Sequence, residues 1–199
     1  MKIALIYTAR SGSSSIFKYF EKSKPNYICY NEPWFWWSKE NRYSGNTDYN
    51  ELIKNNNLFI KSTLSTLPCS LDTIISDFDK VIFLLRKDFE SQLQSTILVN
   101  KERTYLNHTQ RKYKTYSISD NEIKEYTELI NNNIKTIKEA SIKYNSALFY
   151  YEDLYYGDFK PLFDELELEY NQEYYEEYLN ISNRYRIGDI EIKDKNSLI

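Results

Sequence analysis

Residues 2–20 read KIALIYTARSGSSSIFKYF. An apolar run of strand length, KIALIYT, ends at Thr8. Arg10, Ser11, Gly12 and three consecutive serines follow, and then Ile16, Phe17 and Phe20 recur with a helical period. Strand, small-residue turn, helix is a layout that holds a phosphate-like anion. The first N–H groups of a helix have no intrahelical partner, and the helix dipole adds positive potential there. Gly12 lets the backbone come close to such an anion, Ser13, Ser14 and Ser15 add hydroxyl donors, and Arg10 offers a fork-shaped cation. An ordinary turn with serine caps has the same local sequence. The triphosphate loop GxxxxGK[ST] is absent: the nearest lysine, Lys18, lies inside the helix pattern.

Working outward, strand-length apolar runs recur as LFIKST (58–63), KVIFLLR (80–86) and SALFYYE (146–152), with YICYNE (27–32) as a weaker one. Amphipathic helix patterns lie between them at Ser15–Lys22, Tyr49–Asn55, Leu71–Phe78, Phe89–Arg103 and Asn121–Tyr144. The longest is preceded by Ser119 and Glu122 at capping-box spacing. DFKPLFDELEL (158–168) and NQEYYEEYLN (171–180) predict two shorter helices. Apolar strands alternating with helices predict an α/β fold: a P-loop-like, three-layer arrangement with a mostly parallel sheet covered on both faces. No repeat and no Pro/Gly/Ser linker divides the chain, so residues 1–199 are expected to form a single domain.

In open parallel sheets, ligands bind beyond the carboxyl ends of the strands. That rule alone selects Thr8–Ser15, Asn31–Glu32, Lys61–Thr63, Arg86–Lys87 and Glu152–Asp153.

The formal net charge of −3 disfavours a general nucleic-acid binder but leaves room for a local cationic pocket. Cys29 and Cys69 make no CxxC or metal-ligand spacing, which suits free thiols in a reducing compartment. No leader-like segment and no membrane-spanning apolar run is present, so a cytoplasmic protein that does not bind membranes is expected.

Four landmarks now stand in order. TARSGSSSI resembles the R-S-G-T-T or R-S-G-S-T loop of the sulfotransferases that use 3′-phosphoadenosine 5′-phosphosulfate (PAPS). VIFLLRKDFESQLQS resembles their strand–Arg–helix–Ser segment, LFIKST their K-T-H strand end, and ALFYYEDLYYGDFKPLFDEL their late strand ending in Y-E-D-L. The likeness is greatest to bacterial carbohydrate, trehalose-type and tyrosylprotein-type members, and it spans Ile3 to about Leu166.

The resemblance implies that Arg10, Ser11, Gly12, Ser13, Ser14 and Ser15 hold the 5′-phosphosulfate, while Arg86 or Lys87, with Ser95, holds the 3′-phosphate. It implies catalytic roles for Lys61 and Arg10, with Glu32 as general base, and no metal. Thr63 stands where cytosolic members carry their catalytic histidine, and the one histidine, His108, lies in a polar segment. The glycine-rich clamp of those members is not evident, and Arg184 and Arg186 are its possible replacements.

A carboxylate in an aromatic, partly dry pocket is a stronger base near neutral pH. Trp34, Phe35, Trp36 and Trp37 follow Glu32 and offer such a pocket, although Glu32 also serves as a turn residue before Pro33 and the rings as core or lid. Lys61 reads equally as a solvent-facing strand end. Arg86, ending a buried strand, needs an anion or a carboxylate, and Asp88 is its nearest carboxylate. The basic segment Lys101–Lys114 reads as a solvated loop or as a lid.

The implied reaction is transfer of a sulfuryl group to a hydroxyl acceptor, a carbohydrate or other small molecule. The chain is short for the family, which leaves the acceptor site open or completed by a partner chain in an oligomer. The alternatives are a small P-loop kinase, which needs ATP and Mg²⁺, and an inactive protein of the same fold that binds PAPS or its desulfated product, 3′-phosphoadenosine 5′-phosphate (PAP).

Overall fold

Strand β1 (Lys2–Tyr7) turns Ile3, Leu5 and Tyr7 to one face of a sheet and Ala4 and Ile6 to the other, all of them buried. A strand apolar on both faces must lie inside a sheet covered twice. The computed structural model, which describes residues 1–34, 47–102 and 118–176, has this arrangement. β1 pairs with β3 (Leu58–Thr63) on one side and β4 (Lys80–Leu85) on the other. β2 (Ile28–Asn31) adds to β3, and β5 (Leu148–Tyr150) adds to β4. The sheet order is β2-β3-β1-β4-β5, and every pairing is parallel.

On one face, α1 (Ser13–Ser23), α6 (Tyr151–Tyr156) and α7 (Lys160–Glu165) bury Ile16, Phe17, Tyr19, Phe20, Leu154, Leu162 and Phe163 against Ile3, Leu5, Phe59 and Ile82. Phe20 stacks on Phe59 with ring centroids 4.0 Å apart. On the other face, α2 (Tyr49–Leu52), α3 (Leu71–Asp77) and α5 (Asp120–Lys143) bring Leu52, Ile74, Ile137 and Ala140 onto Ala4, Ile6, Ile60 and Phe83. α4 (Phe89–Glu102) packs on α5 through Leu93, Ile97 and Ile130. The capping box read from Ser119 and Glu122 is present at the start of α5.

Three boundaries differ from the sequence reading. α1 begins at Ser13, two residues early, because Gly12 adopts a left-handed conformation that starts the helix there. α2 is a single turn, Tyr49–Leu52. SALFYYE is a strand only over Leu148–Tyr150: α6 begins at Tyr151 and carries Glu152 and Asp153 in its first turn, where the helix dipole favours carboxylates. Of NQEYYEEYLN, residues 172–176 are helical, Asn171 precedes that helix, and residues 177–180 lie outside the described residues. No described helix is long and apolar enough to cross a membrane.

The strand order sets where a ligand fits. From β1 the chain moves toward β2 and β3, and from β4 it moves the opposite way toward β5. The connections leaving the carboxyl ends of β1 and β4 therefore diverge, opening a crevice at that edge.

Candidate functional site

The β1–α1 loop occupies this edge. Arg10 and Gly12 both have left-handed backbones, with φ of 64° and 76°. For a residue with a side chain that conformation costs about 1–3 kcal/mol and persists only where surroundings enforce it. The enforcing contact comes from α4: Gln92, fully buried, donates through Nε2 to Thr8 Oγ1 at 2.8 Å and to the Ala9 carbonyl at 2.7 Å. Gly12 is required for a second reason beyond its φ, since a Cβ there would run into the ring of Tyr151. Ser11 Oγ is buried with no hydrogen-bond partner among the described residues. An orphaned hydroxyl at a helix N-terminus fits an anion that supplies the missing acceptor.

Beside the loop, β3 delivers Lys61, and β2 ends just before Glu32. Lys61 is 1% exposed, so it is not the solvent-facing strand end that its position also allowed. Its Nζ donates to Ser14 Oγ at 3.0 Å and lies 3.3 Å from Glu32 Oε1. Burial pulls the Lys61 ammonium down from its ordinary value, and the Glu32 carboxylate opposes that pull. Tyr7, the last residue of β1, donates its hydroxyl to the same Glu32 oxygen, and its ring lies 5.0 Å from Lys61 Nζ. Burial, reinforced by the Glu32 charge, holds the Tyr7 hydroxyl protonated well above the usual tyrosine range. Glu32 also has a left-handed backbone, φ 52°, and its N–H donates to the Lys61 carbonyl at 2.7 Å. Its carboxylate is thus turned onto Lys61 from a constrained backbone.

Across the crevice, Arg86 follows the last residue of β4, Leu85. The guanidinium lies 3.8 Å from Glu152 Oε1 and 3.9 Å from Asp88 Oδ2, and its Nη1 donates to the Arg10 carbonyl at 3.4 Å. Glu152 also accepts from the N–H groups of Lys87 (2.8 Å) and Asp88 (3.0 Å), which fixes the start of α4. Asp88 caps that helix by accepting from the Ser91 N–H at 2.9 Å, and the Ser91 bonds hold its carboxyl below the ordinary range. Lys87 Nζ is turned outward onto Asp153. Ser95, two turns into α4, accepts from Arg10 Nε at 2.7 Å.

The residues expected from strand ends, joined by Ser95 from the family resemblance, therefore fall into two groups on either side of the loop. Glu32, Lys61 and Ser14 meet on the β3 side; Arg10, Ser95 and Arg86 meet on the β4 side. Ser13 is buried, Ser14 exposed and Ser15 half-buried in the first turn of α1. Thr63 Oγ1 bonds with Thr66 Oγ1 at 2.8 Å, and Thr63 is the residue from which the 3₁₀ turn Leu64–Thr66 starts. Trp34 donates to the Thr47 carbonyl at 3.1 Å and packs near Tyr49, on the α2 side. Phe35, Trp36, Trp37, most of Lys101–Lys114 (His108 among it), Arg184 and Arg186 lie outside the described residues. Among the described residues, no group of three or more His, Cys, Asp or Glu is placed to hold a metal ion.

Sequence reasoning missed Tyr7, Gln92 and Tyr151. Each carries a signal: Tyr7 is the tyrosine that closes the aliphatic run Ile3–Ile6, and Gln92 lies one turn before Ser95. Tyr151 is the tyrosine of the Y-E-D-L landmark itself.

No family model matches the sequence, and no curated protein matches it. Among solved structures, the chain is similar to mouse sulfotransferase SULT7A1, determined as a complex with PAP, with a TM-score of 0.56 and 14% sequence identity. The match covers 92% of this chain but 63% of that one, so this chain spans less than two thirds of its neighbour's length. What the two share is the fold, a parallel α/β sheet flanked by helices.

Proposed function

We propose that the protein is a sulfotransferase, a single domain over residues 1–199 that moves a sulfuryl group from PAPS to a hydroxyl acceptor. One observation carries the reading. The buried ammonium of Lys61 lies between Ser14 of the anion loop and Glu32, so one cation joins the donor side of the site to a candidate base. The likeness in fold to a sulfotransferase supports it independently.

In this reading the acceptor oxygen attacks sulfur, the bond from sulfur to the bridging phosphate oxygen breaks, and PAP leaves. Negative charge grows on that bridging oxygen. Lys61, Arg10 and the N–H groups after Gly12 stabilise it, and one such preorganised donor is worth about 3–4 kcal/mol in the transition state. Glu32 takes the acceptor proton. Tyr7 and Lys61 both hold Oε1, leaving the other carboxylate oxygen for that proton. Ser11 and Ser13–Ser15 bind the 5′ end of the nucleotide; Arg86 and Ser95 bind the 3′-phosphate; Lys87, drawn to Asp153, contributes its charge from farther out. A carbohydrate or another small hydroxyl compound is the acceptor class, and the location is cytoplasmic.

A second reading has its own observation. Glu32 Oε1 already satisfies both Tyr7 and Lys61, which is what a structural counter-ion does in a protein that binds PAP without turnover.

Calorimetry separates these readings from a kinase. PAP binding in chelator, with no response to ATP and Mg²⁺, supports the proposal. Binding of ATP with Mg²⁺ and not of PAP overturns it. Turnover of PAPS then separates enzyme from inactive binder.

A further inference from the structure

Glu32 and an anion in the β1–α1 loop make demands on the same ammonium, that of Lys61. We propose that Tyr7 is the positioning residue that keeps Glu32 in place when Lys61 turns its charge to that anion. This assignment deepens the sulfotransferase reading above and rests on it.

Strand register brings the three side chains together. Leu5 lies opposite Lys61 across the β1–β3 pairing, so Tyr7, two residues on, shares the sheet face of Lys61. Asn31 lies opposite Lys61 on the other side, and Glu32 follows it. The Glu32 backbone is pinned: φ is 52°, and its N–H donates to the Lys61 carbonyl at 2.7 Å. Among the described residues its carboxylate then has two partners, the Tyr7 hydroxyl and the Lys61 ammonium, both on Oε1.

The two partners differ in kind. Lys61 is shared with the loop, and its contact with Ser14 Oγ, 3.0 Å, is shorter than the 3.3 Å to Glu32. Arg10 and Lys18 act on it as like charges. An anion entering the loop therefore relieves that repulsion as well as offering a counter-charge. Tyr7 carries no charge for an anion to attract. It is 3% exposed, and burial followed by the Glu32 charge keeps its hydroxyl protonated, against smaller opposing pulls from Ser13 and Arg10. The hydroxyl goes on donating to Glu32 whether or not the loop is filled. Without it, Lys61 turns to the loop only by leaving a carboxylate with no donor from the described protein. Water meets part of that cost, because Glu32 is about a quarter exposed.

The test is the affinity for PAP, measured by calorimetry on the full chain. Tyr7→Phe should bind PAP about tenfold more weakly than wild type, because Lys61 stays with Glu32. Glu32→Gln removes the charge that holds it, so Tyr7→Phe/Glu32→Gln should return to within about threefold of wild type. A hydroxyl that served the fold alone would give a loss that the second substitution does not repair. Wild-type affinity in Tyr7→Phe, or a loss that persists in the double variant, overturns the role of Tyr7 and leaves the sulfotransferase reading standing. A wild-type protein that does not bind PAP overturns both. Thermal unfolding checks that Tyr7→Phe keeps the fold. If it does not, proton NMR of the wild type decides: the hydrogen-bonded hydroxyl resonance that moves in Glu32→Gln should persist when PAP is added, and its loss overturns the proposal.

Discussion

Lys61 Nζ and Glu32 Oε1 are 3.3 Å apart at the carboxyl edge of the sheet, one nearly sealed from water and the other about a quarter exposed. A buried ammonium requires compensation, and here the carboxylate that provides it is also the candidate base. Pair stability and proposed chemistry therefore rest on the same two side chains and can be separated by substitution.

Glu32→Gln keeps the shape and still accepts from Tyr7 and Lys61 through its carbonyl oxygen. PAP affinity is expected to stay within about threefold of wild type, while turnover of PAPS with an acceptor falls by about 10²–10⁴-fold. A variant with near-wild-type turnover removes Glu32 from the mechanism.

Lys61→Met fills similar volume without the charge. It leaves the Glu32 carboxylate facing an apolar side chain, a loss of about 2–3 kcal/mol given that Glu32 is partly exposed. Glu32→Gln/Lys61→Met should recover part of that stability and none of the activity. Urea unfolding of the two single variants and the double measures the coupling; additive losses would mean that the pair is not coupled in the fold.

Gly12→Ala forces a Cβ into the ring of Tyr151 at a left-handed backbone. The expected loss is about 2–4 kcal/mol, of which about 1 kcal/mol is the backbone penalty. In a Tyr151→Ala background, the same substitution should cost only that smaller part. Thermal denaturation of the four proteins tests whether Tyr151 is the reason for the glycine.

The fold should be sensitive to alkali. Tyr7 is raised well above its ordinary value of 10.0 by burial and then by the Glu32 charge. Burial raises Tyr49 and Tyr170 as well, and pushes the Cys29 thiol from 9.0 up to about 12. In each case the folded chain keeps a proton that the unfolded chain gives up first. These contributions are fully present below the ordinary values and are lost as pH rises beyond them. Urea midpoints should be flat between about pH 7 and 8.5 and fall steeply above about pH 10. Tyr7→Phe should make that fall shallower; an unchanged slope contradicts the burial assigned to Tyr7.

The layering was legible because it depends on short-range pattern. β1, β3 and β4 are near-continuous apolar runs, and their ends point to Arg10, Lys61, Arg86 and, through β2, Glu32 from pattern alone. What was not legible depends on tertiary contact. LFYYE has the aromatic content of a strand, yet α6 takes over at Tyr151, where the acids of the first turn and the Glu152 bonds to the start of α4 outweigh local propensity. Strand alternation gives the face of Tyr7 but not the partner of its hydroxyl. Gln92 reads as an ordinary helical amide until the loop it holds is seen. The sequence pattern makes Gly12 the point of close approach to an anion; the structure gives the glycine a different cause, its left-handed φ and the Tyr151 ring.

The most direct test of the central claim is transfer of labelled sulfate from PAPS, in chelator, to a panel of sugars, phenols and tyrosine peptides. The account predicts a labelled acceptor and release of PAP with the wild-type protein, and neither with Glu32→Gln. A wild-type protein that binds PAP tightly yet labels no acceptor contradicts it, and leaves Glu32 as the structural counter-ion of Lys61.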